Sequence, residues 1–141
     1  MSKKILFLTG TRADFGKIKS LIQILEAHPE FEPFIFVTGM HLQKEYGFTL
    51  LEVERCGFSN IHTFENHTHE TTMDLTLAKT IKGLSAYVKQ CEPDMIVIHG
   101  DRVEALAGAI VGSLNNILVV RIFSSDFFNQ KSRLFVPADF S

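Results

Sequence analysis

Short apolar runs alternate along this chain with longer segments whose apolar residues recur every three or four positions. That alternation marks βαβ units, in which strands buried on both faces read as unbroken hydrophobic runs and each crossover helix carries one apolar stripe. Strands are predicted at Lys4–Thr9, Pro33–Thr38, Asn60–Phe64, Asp94–Ile98 and Ile117–Ile122. A first helix is predicted from Phe15 to Ala27, with Ile18, Leu21, Ile22 and Leu25 as its buried stripe, and it ends where His28 precedes Pro29. A second, Tyr46 to Cys56, carries Leu50, Leu51 and Val53 and stops at Gly57. A third, Thr72 to Gln90, sets Leu75, Ala78, Ile81, Leu84 and Val88 on one side. A fourth, Arg102 to Leu114, is rich in alanine and glycine, which suits close packing on a sheet. Right-handed crossovers between these elements give an α/β fold, a Rossmann-like parallel sheet with flanking helices.

The length of 141 residues fits one such domain and is enough to bury roughly 68–70% of the unfolded surface. A hydrophobic fraction of 45% with 21% charged residues is that of a globular chain. The net charge of −2, with no basic stripe, argues against a nucleic-acid partner. Cys56 and Cys91 lie far apart, outside any Cys-x-x-Cys spacing, and read as reduced thiols. The amino-terminal apolar run is too short for a signal peptide and is followed at once by Arg12 and Asp14, so a cytoplasmic protein with no membrane partner is expected. From Ile122 onward neither period persists. Residues 123–141 crowd phenylalanine into a segment with no helix to bury it, so the domain is expected to span 1–122 with an atypical tail behind it.

In an open parallel sheet, ligands bind beyond the carboxyl ends of the strands, where the next helix offers its N-terminus to an anion. Three loops fall at that edge. The first, Thr9-Gly10-Thr11-Arg12-Ala13-Asp14-Phe15-Gly16-Lys17, is neither a Walker A loop nor Gly-x-Gly-x-x-Gly. It could bind phosphate through backbone N–H groups with Arg12 and Lys17, or Thr11 could cap the helix with Asp14 as reciprocal partner. The second, Thr38-Gly39-Met40-His41-Leu42, lifts His41 to the same edge, where it is either a surface histidine or a proton-transfer group. The third is His99-Gly100-Asp101-Arg102. Asp101 and Glu104 have capping-box spacing, but Arg102 in the first helical turn opposes the helix dipole, which favours a ligand-gripping role for the Asp101-Arg102 pair. The stretch His62-Thr63-Phe64-Glu65-Asn66-His67-Thr68-His69-Glu70 matches no metal-ligand spacing and reads as a solvated loop, with Thr71 and Asp74 starting the helix that follows.

Taken together, Gly10-Thr11-Arg12-Ala13-Asp14-Phe15-Gly16-Lys17, Thr38-Gly39-Met40-His41-Leu42 with Tyr46-Gly47, and His99-Gly100-Asp101-Arg102 with Glu104-Ala105-Leu106-Ala107 resemble the hydrolysing UDP-N-acetylglucosamine 2-epimerases. The Gly-Thr-Arg-Ala-Asp and Gly-Asp-Arg forms favour that branch over the non-hydrolysing one, which has Gly-Thr-Arg-Pro-Glu and Gly-Asp-Thr. The resemblance covers residues 3 to 120. It implies the N-terminal half of a glycosyltransferase-B-like fold, a UDP-sugar in the cleft between two halves, no metal and no other cofactor, and full-length relatives that are homo-oligomers. It further implies loss of UDP from C1 and a proton from C2, then addition of water, to give N-acetylmannosamine for sialic acid-type sugars. Close relatives act on a diacetamido sugar in legionaminic acid synthesis, and a non-catalytic nucleotide-binding domain is the other alternative. Carried over, Asp101 and His41 are the catalytic candidates. Arg12, Asp14, Lys17, Arg102 and Glu104 are the substrate-binding ones, the two arginines on the UDP portion.

After the fifth strand the family continues with His-Ile-Glu-Gly-Gly-Glu and a nearby Arg-His, whereas this chain reads Arg121-Ile122-Phe123-Ser124-Ser125-Asp126. So abrupt a break points to a frameshift or a premature end of the coding sequence. The chain is accordingly expected to be a truncated form lacking the second domain and inactive alone. The other two frames beyond the codon for Val120 test this, and absence of His-Ile-Glu-Gly-Gly-Glu from both would refute it.

Overall fold

The computed structural model describes residues 2–42, 50–66 and 72–122, apart from the side chains of Arg12, Met40 and His41. Five strands form one parallel sheet in the order β3-β2-β1-β4-β5. They are β1 (Lys3–Thr9), β2 (Phe31–Val37), β3 (Ile61–Thr63), β4 (Met95–His99) and β5 (Leu118–Ile122), each within two residues of its predicted bounds. The helices are α1 (Arg12–Ala27), α2 (Leu50–Arg55), α3 (Met73–Cys91) and α4 (Val103–Leu114), with a 3-10 turn at Gly39–Leu42.

Alternation along the strands divides the core into two layers. Ile5, Phe7, Ile35, Val37 and Val97 face α1 and α2, meeting Phe15, Ile18, Ile22, Leu50 and Val53. Leu6, Leu8, Phe36, Ile96 and Ile98 face α3 and α4, meeting Leu84, Val88, Ala105 and Val111. The chain therefore reads as an α/β/α sandwich. The close packing expected of α4 is present: a Cβ added at Gly108 would stand 2.6 Å from Cγ2 of Ile98.

Several local expectations are corrected. α1 starts at Arg12 rather than Phe15, because the Thr11 hydroxyl accepts the Asp14 N–H at 3.1 Å and caps the helix earlier. Residues 43–49, and with them the predicted start of α2 at Tyr46, lie outside the described residues; within α2, Leu51 is exposed while Leu50 and Val53 are buried. On α3 the expected stripe fails in the first two turns, where Leu75 and Ala78 are exposed and Thr76 and Thr80 are buried. That end of the helix lies over a buried polar side chain, Asn66, and the Thr80 hydroxyl accepts its Nδ2 hydrogen where a methyl group could not. The N-cap of α3 is Thr72, while Thr71 lies outside the described residues. Cys56 and Cys91 are free thiols, and burial pushes the Cys91 thiol up to about 11. No helix among the described residues is long and apolar enough to cross a membrane.

The stretch from His62 to Asn66 is not the solvated loop that its polarity suggests. The His62 ring stacks on Tyr87 with centroids 4.3 Å apart and also on Phe36, and Asn66 is buried. His67, His69 and Glu70 lie outside the described residues. Burial lowers the His62 pKa below its ordinary 6.5, so the unfolded chain takes up the proton first as pH falls. The stabilisation is therefore full above about pH 6.5 and is lost as pH drops through the lower folded value. The melting temperature is expected to fall more between pH 7 and 5 in the wild type than in His62→Phe, which keeps the stack without the titration. Equal slopes would refute this.

Candidate active site

The strand order reverses between β1 and β4, so the loops after these two strands depart in opposite directions and open a crevice at the carboxyl edge. Among the described residues, hydrogen bonds tie neighbouring segments together at this edge. The Thr38 N–H donates to Thr9 O at 3.0 Å, the Phe64 N–H to Val37 O at 2.9 Å, and Nη2 of Arg121 on β5 to Gly100 O at 3.0 Å. Gly39 and Gly100 hold φ of +66° and +86°, the left-handed region, which turns the chain sharply as it leaves β2 and β4.

Asp14 spends its backbone N–H on the Thr11 cap, but its carboxylate does not serve as a reciprocal partner there. It crosses the crevice to Nδ1 of His99 at 3.0 Å, both side chains being about nine-tenths buried at 11% and 10% exposure. A carboxylate only accepts, so Nδ1 carries the hydrogen of this bond and Asp14 orients the ring. His99 Nε2 is buried and has no hydrogen-bond partner among the described residues.

The third loop departs from a capping box. Arg102, not Asp101, is the N-cap of α4, and no side chain makes the cap bond. Asp101 is exposed at the rim. Glu104 turns inward to 3% exposure, where its Oε2 accepts from Nδ2 of Asn66 at 2.9 Å and its Oε1 from Nε of Arg102 at 3.3 Å. Asn66 also donates from Nδ2 to Thr80 Oγ1 at 2.9 Å and accepts the Gly39 N–H on Oδ1 at 3.1 Å. Glu104 thus lies beneath the crevice rather than on its surface, and Arg102, with its side chain 39% exposed, reaches out above it.

Of the seven residues singled out from sequence, the fold brings Asp14, Asp101, Arg102 and Glu104 to one edge. The backbones of Arg12 and His41 lie there too, since they open α1 and sit in the 3-10 turn after β2; their side chains are outside those described. Lys17 is exposed on α1, one turn beyond Asp14. Three participants were missed: Asn66, His99 as the partner of Asp14, and Arg121. Thr80, on α3 but outside the predicted stripe of Leu75, Ala78, Ile81, Leu84 and Val88, is the side chain that meets the buried amide.

A parallel sheet with a switch point, two buried helical layers and a glycine-turned polar edge is the Rossmann-like N-terminal half of a glycosyltransferase-B-like fold. The family profile described as UDP-N-acetylglucosamine 2-epimerase matches residues 23–124, and the chain belongs to that family. A UDP-N-acetylglucosamine 2-epimerase of Neisseria meningitidis is 48% identical over 120 residues, covering 85% of this chain and 32% of the relative. A UDP-N,N'-diacetylbacillosamine 2-epimerase (hydrolyzing) of Legionella pneumophila is 32% identical over 131 residues, covering 89% and 34%. The crystal structure of a Neisseria meningitidis UDP-GlcNAc 2-epimerase bound to UDP-GlcNAc superposes with a TM-score of 0.72 at 16% identity, over 91% of this chain and 35% of the other. The chain therefore spans about a third of the length of the curated relatives it matches.

Proposed function

We propose that this chain carries the amino-terminal half-site of a hydrolysing UDP-N-acetylglucosamine 2-epimerase. The observation that carries the reading is the Gly100-Asp101-Arg102 corner at the switch point, in a chain 48% identical over 120 residues to a relative named UDP-N-acetylglucosamine 2-epimerase. The chemistry needs two things at one edge. Breaking the anomeric C–O bond leaves a diphosphate that positive charge must stabilise, and moving the C2 proton needs a placed base.

Asp101, exposed at the rim, is the acid/base carboxylate at the sugar, with His41 a second polar group there. Arg102 and Arg12 hold the diphosphate, while Asp14 and Lys17 shape the first loop. The proton leaves C2 as UDP leaves C1, giving a 2-acetamidoglucal, and addition of water then gives N-acetylmannosamine. The same site on a diacetamido sugar is the second reading, supported by the Legionella relative at 32% identity. The location we infer is cytoplasmic.

The 141 residues by themselves are expected to bind UDP weakly and to release neither UDP nor N-acetylmannosamine from UDP-N-acetylglucosamine. Robust turnover by the purified chain would contradict this. Joining residues 1–120 to the remainder of the Neisseria relative is expected to give an active hybrid. Asp101→Asn in that hybrid is expected to lower kcat by about 10²–10⁴ with little change in KM. A hybrid that folds yet ignores the Asp101 substitution sinks the assignment.

A further inference from the structure

We infer that Asn66 and Glu104 are a buried positioning pair that presets Arg102 as a clamp for the diphosphate of a nucleoside diphosphate, an inference that rests on the functional reading above. Packing alone does not account for the pair. A carboxylate at 3% exposure loses most of its hydration, and an apolar residue in the first turn of α4 would cover the sheet without that cost. Instead the site divides the two oxygens of Glu104 between two donors, Asn66 Nδ2 and Arg102 Nε.

Asn66 has no freedom to turn over. Its Oδ1 faces a backbone N–H, and Nδ2 divides its two hydrogens between Thr80 and Glu104, so a flipped amide would set donor against donor and acceptor against acceptor. The amide fixes the carboxylate, and the carboxylate fixes the guanidinium at Nε. Arg102 then keeps its terminal N–H groups for a ligand, in the planar fork that suits phosphate oxygens. Its place at the N-cap of α4, where a cation opposes the helix dipole, becomes favourable once a diphosphate sits before it. Asn66 also holds Gly39, so the second loop keeps register with the clamp.

The test uses the 141-residue chain as wild type, Asn66→Asp, Glu104→Gln and the double variant, in which amide and carboxylate exchange places. Three quantities are read: the Arg102 Nε–H resonance by NMR, the affinities for UDP and for uridine by calorimetry, and the melting temperature. Each single variant is expected to lose the protected Nε–H resonance and to bind UDP roughly tenfold more weakly, with uridine affinity unchanged. The double variant is expected to recover the resonance, the melting temperature and most of the UDP affinity. Glu104→Gln is the milder change and carries the test if Asn66→Asp does not fold. An unchanged Nε–H resonance in the single variants overturns the inference, as does its loss without weaker UDP binding. Equal losses for UDP and uridine would make the pair merely structural and overturn it too. A wild-type chain that binds no UDP removes the reading of the site itself, and the inference falls with it.

Discussion

Replacing Asn66 by leucine is expected to lower the free energy of unfolding by about 3 kcal/mol, against a total of roughly 5–15 kcal/mol for a domain of this kind. Leucine keeps the branched outline of asparagine and is the larger side chain, so the loss is not a cavity effect. Leucine leaves the Gly39 N–H without its acceptor and Thr80 without its donor, and it takes from Glu104 the neutral donor that stands opposite Arg102. Arg102 Nε at 3.3 Å still compensates the carboxylate in part, which keeps the cost below that of a fully stranded buried charge. Urea unfolding followed by circular dichroism reads the change as a midpoint lower by about 1–3 M. A shift under about 1 kcal/mol would mean that water replaces the amide, and the network would lose its role in tying Gly39 to Glu104.

Gly39→Val is expected to cost a comparable amount, about 2–4 kcal/mol, from two causes. The first is conformational: φ of +66° is strained for any L-residue and most of all for a β-branched one. The second is steric: a Cβ at this position stands 2.7 Å from the backbone oxygen of Gly10, which has no flexible end to move aside. Gly57→Val is the control, because Gly57 has φ of +73° but nothing within 4 Å of its Cβ position. The difference between the two measures the contact between the first and second loops. Equal losses would show that Gly10 moves freely and that the two loops are not locked together.

The sequence carried the sheet well and the polar interior poorly. The inner strands β1, β2 and β4 were legible because a strand section buried on both faces must be apolar, a requirement that one residue after another reports locally. Ile18, Leu21, Ile22 and Leu25 likewise declared the inner face of α1 by spacing alone. The errors cluster where polar groups are buried. Glu104 looked like half of a capping box because spacing of three suits one, yet its carboxylate answers to Asn66, 38 residues away in the chain. Asp14 looked like the other half of such a box, and its carboxylate goes to His99, 85 residues away. No local pattern encodes such partners, since a buried polar side chain takes whichever complementary group the fold brings near.

Sequence by itself therefore determined the layered α/β class and the edge where the candidate site lies. Strand hydrophobicity and the glycine-turned loops are local properties, and the three loop motifs together were enough to mark the family. Tertiary structure alone decided which residues face the crevice and which hold it from beneath. Asp101 and Glu104 are both carboxylates three positions apart, and one is exposed while the other is buried. What separates them is the start of α4 at Val103, with Arg102 as its cap: Asp101 stays outside the helix at the rim, and the first turn carries Glu104 down onto Asn66.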